Sequence, residues 1–331
     1  MVEDYSKAGV DLNRISNIHK KIKEMAKGLE KGILGIGSYA GVINYNGGKL
    51  ALHVDGVGTK VLIAQMMNKY DTIGIDCVAM NVNDILCVGA KPLVLLDYIA
   101  LEESNEWLVE EIMKGIIKGA EESNAFLIGG ETAVLPGIIK GVEKGKGFDL
   151  SCFVLGNVER LIKGEVSIGD KIIGLPSNGV HSNGFSLIRR VLLDKLGLKL
   201  SYKVGEETLG EELLKPTKIY LKEIEKILDL NIHGIAHITG GGYRKLRRLI
   251  KDNLSFHLEM PEPPEVFKLI MSGGVEVREM YNVFNMGFGM LIFTEDGEEV
   301  LKRVKGSVLL GEVKEGEGKI VLKVKGNEIT F

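Results

Sequence analysis

Cysteine is scarce in this chain of 331 residues. The three present, Cys77, Cys87 and Cys152, are odd in number and lack C-x-x-C spacing, which excludes a disulfide framework and a zinc site. Cys77 and Cys87 fall in an apolar stretch and read as small buried hydrophobes. No apolar run approaches the roughly 18 residues a membrane-spanning helix needs. The opening stretch MVEDYSKAGVDLNR is charged and has no apolar core, so it does not read as a signal peptide. Neither sign of charge dominates, since 42 Lys and Arg against 45 Asp and Glu leave a net charge of -3. Nothing in that balance calls for nucleic acid or a membrane as partner. The expectation is a cytoplasmic protein with reduced thiols.

Apolar material is plentiful, with 45% hydrophobic and 26% charged residues, enough for about two domains of roughly 150 residues. Apolar positions Ile15, Ile18, Ile22, Met25 and Leu29 predict a helix over 14–31. A glycine-rich run follows at 32–41, then a strand at 49–54. Helical periodicity from Thr72 to Val88 stops at Gly89-Ala90, with Pro92 beyond. Strands are expected at 92–101, 125–128 and 150–158, and a helix at 104–122 with Ser104 as its N-cap. The stretch 159–170 reads as a boundary. Beyond it come a strand at 171–175, helices at 185–195 and 216–228, a strand near 235–238 and a strand at 287–293. Strands alternating with helices imply layered α/β units.

Glycine motifs carry the first hints of chemistry. Gly35-Ile36-Gly37-Ser38-Tyr39-Ala40 fits G-x-G-x-x-[GA], with Asp55 twenty residues after Gly35. A dinucleotide fingerprint must follow a strand and open a helix. This one follows a helical segment and runs into the turn signal Asn46-Gly47-Gly48, so it reads as a segment able to close over a ligand, or as an ordinary loop. VDGVGTK (54–60) has phosphate-loop ingredients, but Thr59 precedes Lys60, the reverse of the Walker order.

Asp55, Asp84, Asp97 and Glu131 stand at or near the edges of the predicted elements of the first domain. Magnesium is usually held by a few carboxylates plus substrate phosphates, so converging carboxylates, glycine amides and Lys60 would be another way to grip ATP. A salt bridge explains Asp84 equally well, and a structural pairing explains Asp97. In the second half, SNGVHSNGF (177–185) and ITGGGYRKL (238–246) each lead into a helix, where free amides favour anions. Turn-building needs would also account for both stretches. His181, between two Ser-Asn-Gly triplets, can move a proton near neutrality. His53 and His237 are as well explained by strand-end packing, and Arg244, Arg247 and Arg248 by a solvated helix face.

Taken in order, YSKAGVD (5–11), VDGVGTK (54–60), DTIGIDCVAMNVNDILCVGAKPL (71–93), LDYIA (96–100), GGETAVLPG (129–137), SNGVHSNGFSLIR (177–189), PTKIYLK (216–222), AHITGGG (236–242), PEVFKLI (264–270) and MYNVFNMGFGM (280–290) resemble the aminoimidazole ribonucleotide (AIR) synthetase family. These are the phosphoribosylformylglycinamidine cyclo-ligases of purine biosynthesis. The resemblance implies an α+β protein of two α/β-type domains. An amino-terminal ATP and magnesium domain (1–163) would pair its sheet across a homodimer into a barrel, and a sheet-and-helix substrate domain (164–331) would follow.

It also implies ATP as co-substrate, Mg²⁺, room for a monovalent cation, and formylglycinamidine ribonucleotide as substrate. By resemblance Gly35, Gly37, Asp55, Gly56, Gly58, Thr59, Lys60 and Asn81 would meet ATP, and Asp55, Asp84 and Glu131 would hold the metal. His181, Ser182, Asn183, Gly184, Thr239, Gly240 and Gly241 would face the substrate, with His181, Lys60 and Asp84 as the catalytic set. One departure is Ser38-Tyr39-Ala40, where the family commonly has an aromatic residue beside the second glycine. A small-molecule kinase related to thiamine monophosphate kinase, and a non-catalytic nucleotide-binding regulator, are the rival readings.

Overall fold

Backbone pairing resolves the chain into two sheets. The computed structural model describes residues 3–29 and 32–331. Its first sheet has five strands: β1 (Gly41–Tyr45), β2 (Gly48–Gly56), β3 (Ala90–Leu101), β4 (Phe126–Val134) and β5 (Phe148–Val158), in the order β1-β2-β5-β3-β4. β3 and β4 run parallel, whereas the β1–β2, β2–β5 and β3–β5 pairs are antiparallel.

Four helices precede or cover this sheet: α1 (Leu12–Met25), α2 (Val61–Met67), α3 (Asp71–Leu86) and α4 (Glu106–Glu122). Every residue of α3 from Ile73 to Leu86 is buried, as befits a helix enclosed on all sides. It lies against β2, β5 and α4, and touches the Ile232–His237 strand of the second sheet. Gly74 and Gly115 let α3 and α4 approach closely. A Cβ on Gly74 would sit 2.3 Å from the Ile116 nitrogen, and one on Gly115 2.2 Å from the Asp71 carbonyl.

The second sheet has seven strands in the order β14-β13-β10-β12-β6-β11-β9. They are β6 (Lys171–Pro176), β9 (Ile232–His237), β10 (Leu254–Met260), β11 (Phe288–Thr294), β12 (Val308–Glu315), β13 (Lys319–Val324) and β14 (Asn327–Thr330). A two-residue hairpin, β7 (Lys203–Val204) and β8 (Glu207–Thr208), stands apart. β11 is buried along its whole length, as its unbroken apolar run suggests.

Several expectations need correction. The first helix spans Leu12–Met25 rather than 14–31, is capped by the Asp11 carboxylate on the Asn13 and Arg14 amides, and buries none of its residues. Residues 30–31 lie outside the described residues. Asn105, not Ser104, caps α4, its side chain accepting from the Leu108 amide at 3.1 Å. The helix expected over 216–228 is reduced to Leu221–Glu225, because the extended backbone before it bonds to the first domain. The Thr217 amide donates to Asp76 and the Lys218 carbonyl accepts from Asn83. The helix at 185–195 changes after Ile188 to a wider π-helical winding.

Candidate active site

β2 carries VDGVGTK to the sheet edge, and a single turn at Gly58–Lys60 leads into α2. The turn sends Lys60 inward. Its side chain is fully buried, with Nζ 2.9 and 2.8 Å from the two Asp76 oxygens and 2.7 Å from the Lys215 carbonyl. Asp76 Oδ1 also accepts from Ser182 Oγ, the Thr217 amide and Thr217 Oγ1 at 3.0, 2.7 and 2.6 Å. Lys60 and Asp76 come from the first domain, Ser182, Lys215 and Thr217 from the second. Lys60, expected to meet ATP, and Ser182, expected to face the substrate, both belong here to a buried cross-domain anchor. Thr59 faces the same way, 3.1 Å from Ser186 Oγ.

Beside this anchor a cleft of about 680 Å³ opens between the domains. Asp55 and Asp84 reach it from the first domain, and Asn183, Thr239, Gly240 and Gly241 from the second. Asp55 accepts from the Gly56 amide at 2.8 Å. Its carboxylate keeps contact with solvent, yet the cleft walls displace enough water to push its pKa up, and the charge on Asp84 adds to the rise.

Asp84 is buried between two imidazoles, 2.6 Å from His237 Nδ1 and 3.3 Å from His53 Nε2. Burial pushes the Asp84 acid up, but the His237 hydrogen bond, the charges of both histidines and Lys245 outweigh it and hold the carboxyl below its ordinary value. His53 and His237, readable as packing residues, thus orient a cleft carboxylate. Asn81 is fully buried, donating to the Asp55 and Cys77 carbonyls and lying 3.0 Å from His53 Nδ1. These bonds tie α3 to β2 at a residue expected to meet ATP.

Glu131 does not join Asp55 and Asp84. It pairs with Tyr98 on β3, while Asp55 pairs with Cys152 on β5. Three strand spacings separate their strands, roughly 14 Å. Among the described residues no three His, Cys, Asp or Glu side chains form a metal-holding group.

His181, expected to face the substrate and move a proton, lies inside the fold. It is 1% exposed, has a left-handed backbone (φ 64°), and its Nε2 accepts from the Asn178 amide at 3.1 Å. Burial, aided by the charges of His237, Lys60 and Lys218, holds its pKa well below 6.5. The ring is neutral at physiological pH and braces the 177–184 loop from behind. Gly184 serves packing, since a Cβ there would meet the Phe284 ring at 2.2 Å. In the glycine segment Ser38 and Tyr39 line the cleft, Gly37 lines a small recess beside it, and Gly35 closes a turn with the Ser38 amide.

Three cations on the cleft wall, Arg244, Lys245 and Arg248, escaped the reading of a solvated helix face. Their i, i+1, i+4 spacing directly after TGGG was the available signal. The amino-terminal segment was missed as well. The Glu3 amide bonds to the Gly274 carbonyl and the Tyr5 amide to Glu279, so residues 3–12 lie on the second domain, and Tyr5, Leu12 and Ile15 border the cleft.

Residues 37–158 match the family of the AIR synthase related protein, N-terminal domain, and residues 167–323 that of the C-terminal domain. The chain is 47% identical to the phosphoribosylformylglycinamidine cyclo-ligase of Sulfurisphaera tokodaii over all of both chains. It is 44% identical to that of Methanobrevibacter smithii over 99% of each. Among solved structures it resembles AaThiL complexed with AMPPCP and TMP, with a TM-score of 0.67 at 20% identity over 93% of each chain. The HypE–HypF complex matches with a TM-score of 0.67 at 19% identity, over 93% of this chain and 97% of that one.

Proposed function

Because the chain belongs to the AIR synthase-related family, we infer that it is a phosphoribosylformylglycinamidine cyclo-ligase. The reaction converts formylglycinamidine ribonucleotide and ATP to aminoimidazole ribonucleotide, ADP and phosphate. The thiamine monophosphate kinase-like scaffold is shared at about one-fifth identity and carries the fold alone. The observation behind this assignment is full-length likeness to cyclo-ligases, joined to one interdomain cleft that gathers Asp55 and Asp84 with Asn183 and Thr239–Gly241.

A formamide carbonyl is a poor electrophile and its oxygen a poor leaving group. Transfer of the γ-phosphoryl group to that oxygen turns it into a phosphate ester. The amidine nitrogen then attacks the carbon, the C–N bond forms, and the C–O bond breaks with release of phosphate. Little covalent work falls to the protein, and positioning with charge stabilisation supplies most of the acceleration.

Asp55 and Asp84 suit a magnesium ion held partly by substrate phosphates and water, not a cage made by protein alone. Asp55 has an oxygen free toward the cleft, and Asp84 is aimed by its two histidines. Bound there, the ion would neutralise phosphate charge. Gly56 and Gly58 lie next to that carboxylate and remain our assignments for the nucleotide side, while Asn183 and Thr239–Gly241 remain those for the substrate side. Glu131 is assigned no role at this cleft.

The domain boundary is placed at 163/164, in the linker between β5 and β6. Homodimerisation through the outer face of the first sheet accounts for its exposed apolar side chains, and a cytoplasmic setting suits both substrates.

The test is a coupled assay with ATP, Mg²⁺ and formylglycinamidine ribonucleotide, following ADP and the diazotisable amine together. Equal amounts of both support the assignment. ADP without the amine would make the chain a kinase or an uncoupled ATPase.

A further inference from the structure

We propose that Arg244, Lys245 and Arg248 form a phosphomonoester-binding wall that grips the 5′-phosphate of the ribonucleotide substrate. The proposal rests on the cyclo-ligase reading for the identity of that substrate. A short 3-10 helix, Gly242–Arg248, follows directly on Thr239-Gly240-Gly241, and all three side chains border the cleft. Arg247 is not among the cleft residues and reaches the Gly318 carbonyl at 3.4 Å.

What the three cations touch is neutral. The Arg248 guanidinium lies 4.9 Å from the centre of the Tyr39 ring. Both terminal nitrogens of Arg244 stand 3.4 Å from Asn13 Oδ1, at the long limit of a hydrogen bond. Lys245 Nζ bonds to Thr239 Oγ1. Among the described residues none of the three has a carboxylate within ion-pair distance, in contrast to Arg190, Lys215 and Arg303.

The acids across the cleft offset that charge only in part, since Lys245 is felt by Asp55 and Asp84 but pairs directly with neither. Both Asp84 oxygens are engaged by His237 and His53, and one Asp55 oxygen accepts from the Gly56 amide. Three adjacent cations lining a concave wall repel one another until an anion arrives. Guanidinium forks match phosphate oxygens two at a time, and a monoester dianion has the charge and the number of acceptors to engage two arginines and a lysine. The nucleotide triphosphate belongs beside Asp55, on the other wall. The cation wall instead adjoins Asn183 and Thr239–Gly241, the substrate side of the cleft.

Ribose 5-phosphate is the probe, titrated by calorimetry into the intact protein without ATP. Arg244→Gln and Arg248→Gln should each weaken its binding about tenfold, as expected for losing a hydrogen bond to a charged group. Each should raise KM for formylglycinamidine ribonucleotide in proportion and leave KM for ATP within about twofold. Arg244→Gln loses only the long Asn13 contacts, so it remains informative if Arg248→Gln disturbs the Tyr39 packing.

Unchanged binding and KM in both variants would return these residues to a solvated face and overturn the proposal. A raised KM for ATP with the substrate unaffected would overturn it too, by moving the wall to the nucleotide. Ribose 5-phosphate binding is read without turnover, so a wild-type chain that binds it but makes no aminoimidazole would sink the cyclo-ligase reading, not the site.

Discussion

Asp55 and Asp84 share a cleft but differ in what surrounds them. Asp84 has both oxygens engaged by imidazoles, whereas Asp55 is raised by confinement and by its neighbour's charge. A carboxylate whose acid form is favoured in the fold contributes no stability by ionising. Asp55→Asn should therefore keep a cooperative thermal transition at an unlowered midpoint while kcat falls about a hundredfold or more, as when a charge-stabilising group is lost. Near-normal kcat at saturating Mg²⁺ would remove Asp55 from the site.

His181 differs from both carboxylates in refusing a proton that the unfolded chain accepts. The folded ring is held well below 6.5, so below that pH the unfolded chain binds a proton the native state refuses. Stability from this residue is complete above about pH 6.5 and declines as the medium is acidified. His181→Gln, whose amide oxygen can accept from Asn178, should flatten the fall in thermal midpoint between pH 6.5 and 5.5. An unchanged slope would mean that the ring is not the titrating group. The motif around His181 was legible in the sequence, but its burial was not. Burial depended on Tyr220 and Gly289 closing over it, and no local pattern encodes those contacts.

Elements whose pattern reflects their own surroundings were easy to recognise. The α3 helix, the strands β3 and β5 and the fully apolar β11 follow from periodicity alone, because burial on one or both faces dictates residue type at every position. Prediction failed where backbone groups answer to another domain. The helix expected from 216 begins only at Leu221, because Asp76 and Asn83 hold the backbone before it extended. Lys60 shows the same limit at a motif, since nothing in Gly-x-Gly-Thr-Lys announces that Asp76 on α3 pairs with the lysine.

Lys60→Met would leave Asp76 buried without its countercharge. It should cost about 3–5 kcal/mol in denaturant unfolding, the usual penalty for breaking a buried pair. A loss below about 1 kcal/mol would show the anchor to be dispensable. Gly74→Ala tests the close α3–α4 contact in the same assay. Overpacking there should cost about 1–3 kcal/mol, and a neutral result would show that the helices part readily.

At the scale of the whole molecule, the first sheet covers one face with α3 and α4 and leaves the other bare. Val54, Leu96, Tyr98, Phe126 and Ile128 are exposed there, with Phe126 75% and Val54 65% accessible. Contiguous apolar exposure of this kind marks an association surface, in keeping with the proposed homodimer. Val54→Asp with Tyr98→Asp should shift the sedimentation coefficient to that of a 36.2 kDa monomer. A wild-type chain already monomeric at micromolar concentration would contradict the proposal.

The cleft itself exists only because both domains contribute to it. Its acidic wall was foreshadowed by Asp55 and Asp84 in the sequence, whereas its basic wall was hidden in residues that looked solvated.

The account turns on activation of an amide oxygen by phosphorylation, and isotope transfer tests that step. Formylglycinamidine ribonucleotide labelled with ¹⁸O in the formyl group would be turned over with ATP and Mg²⁺, and the released phosphate analysed by mass spectrometry or ³¹P NMR. The account predicts one labelled oxygen in each phosphate, formed in step with aminoimidazole ribonucleotide. Unlabelled phosphate, or phosphate formed without the imidazole, would contradict it.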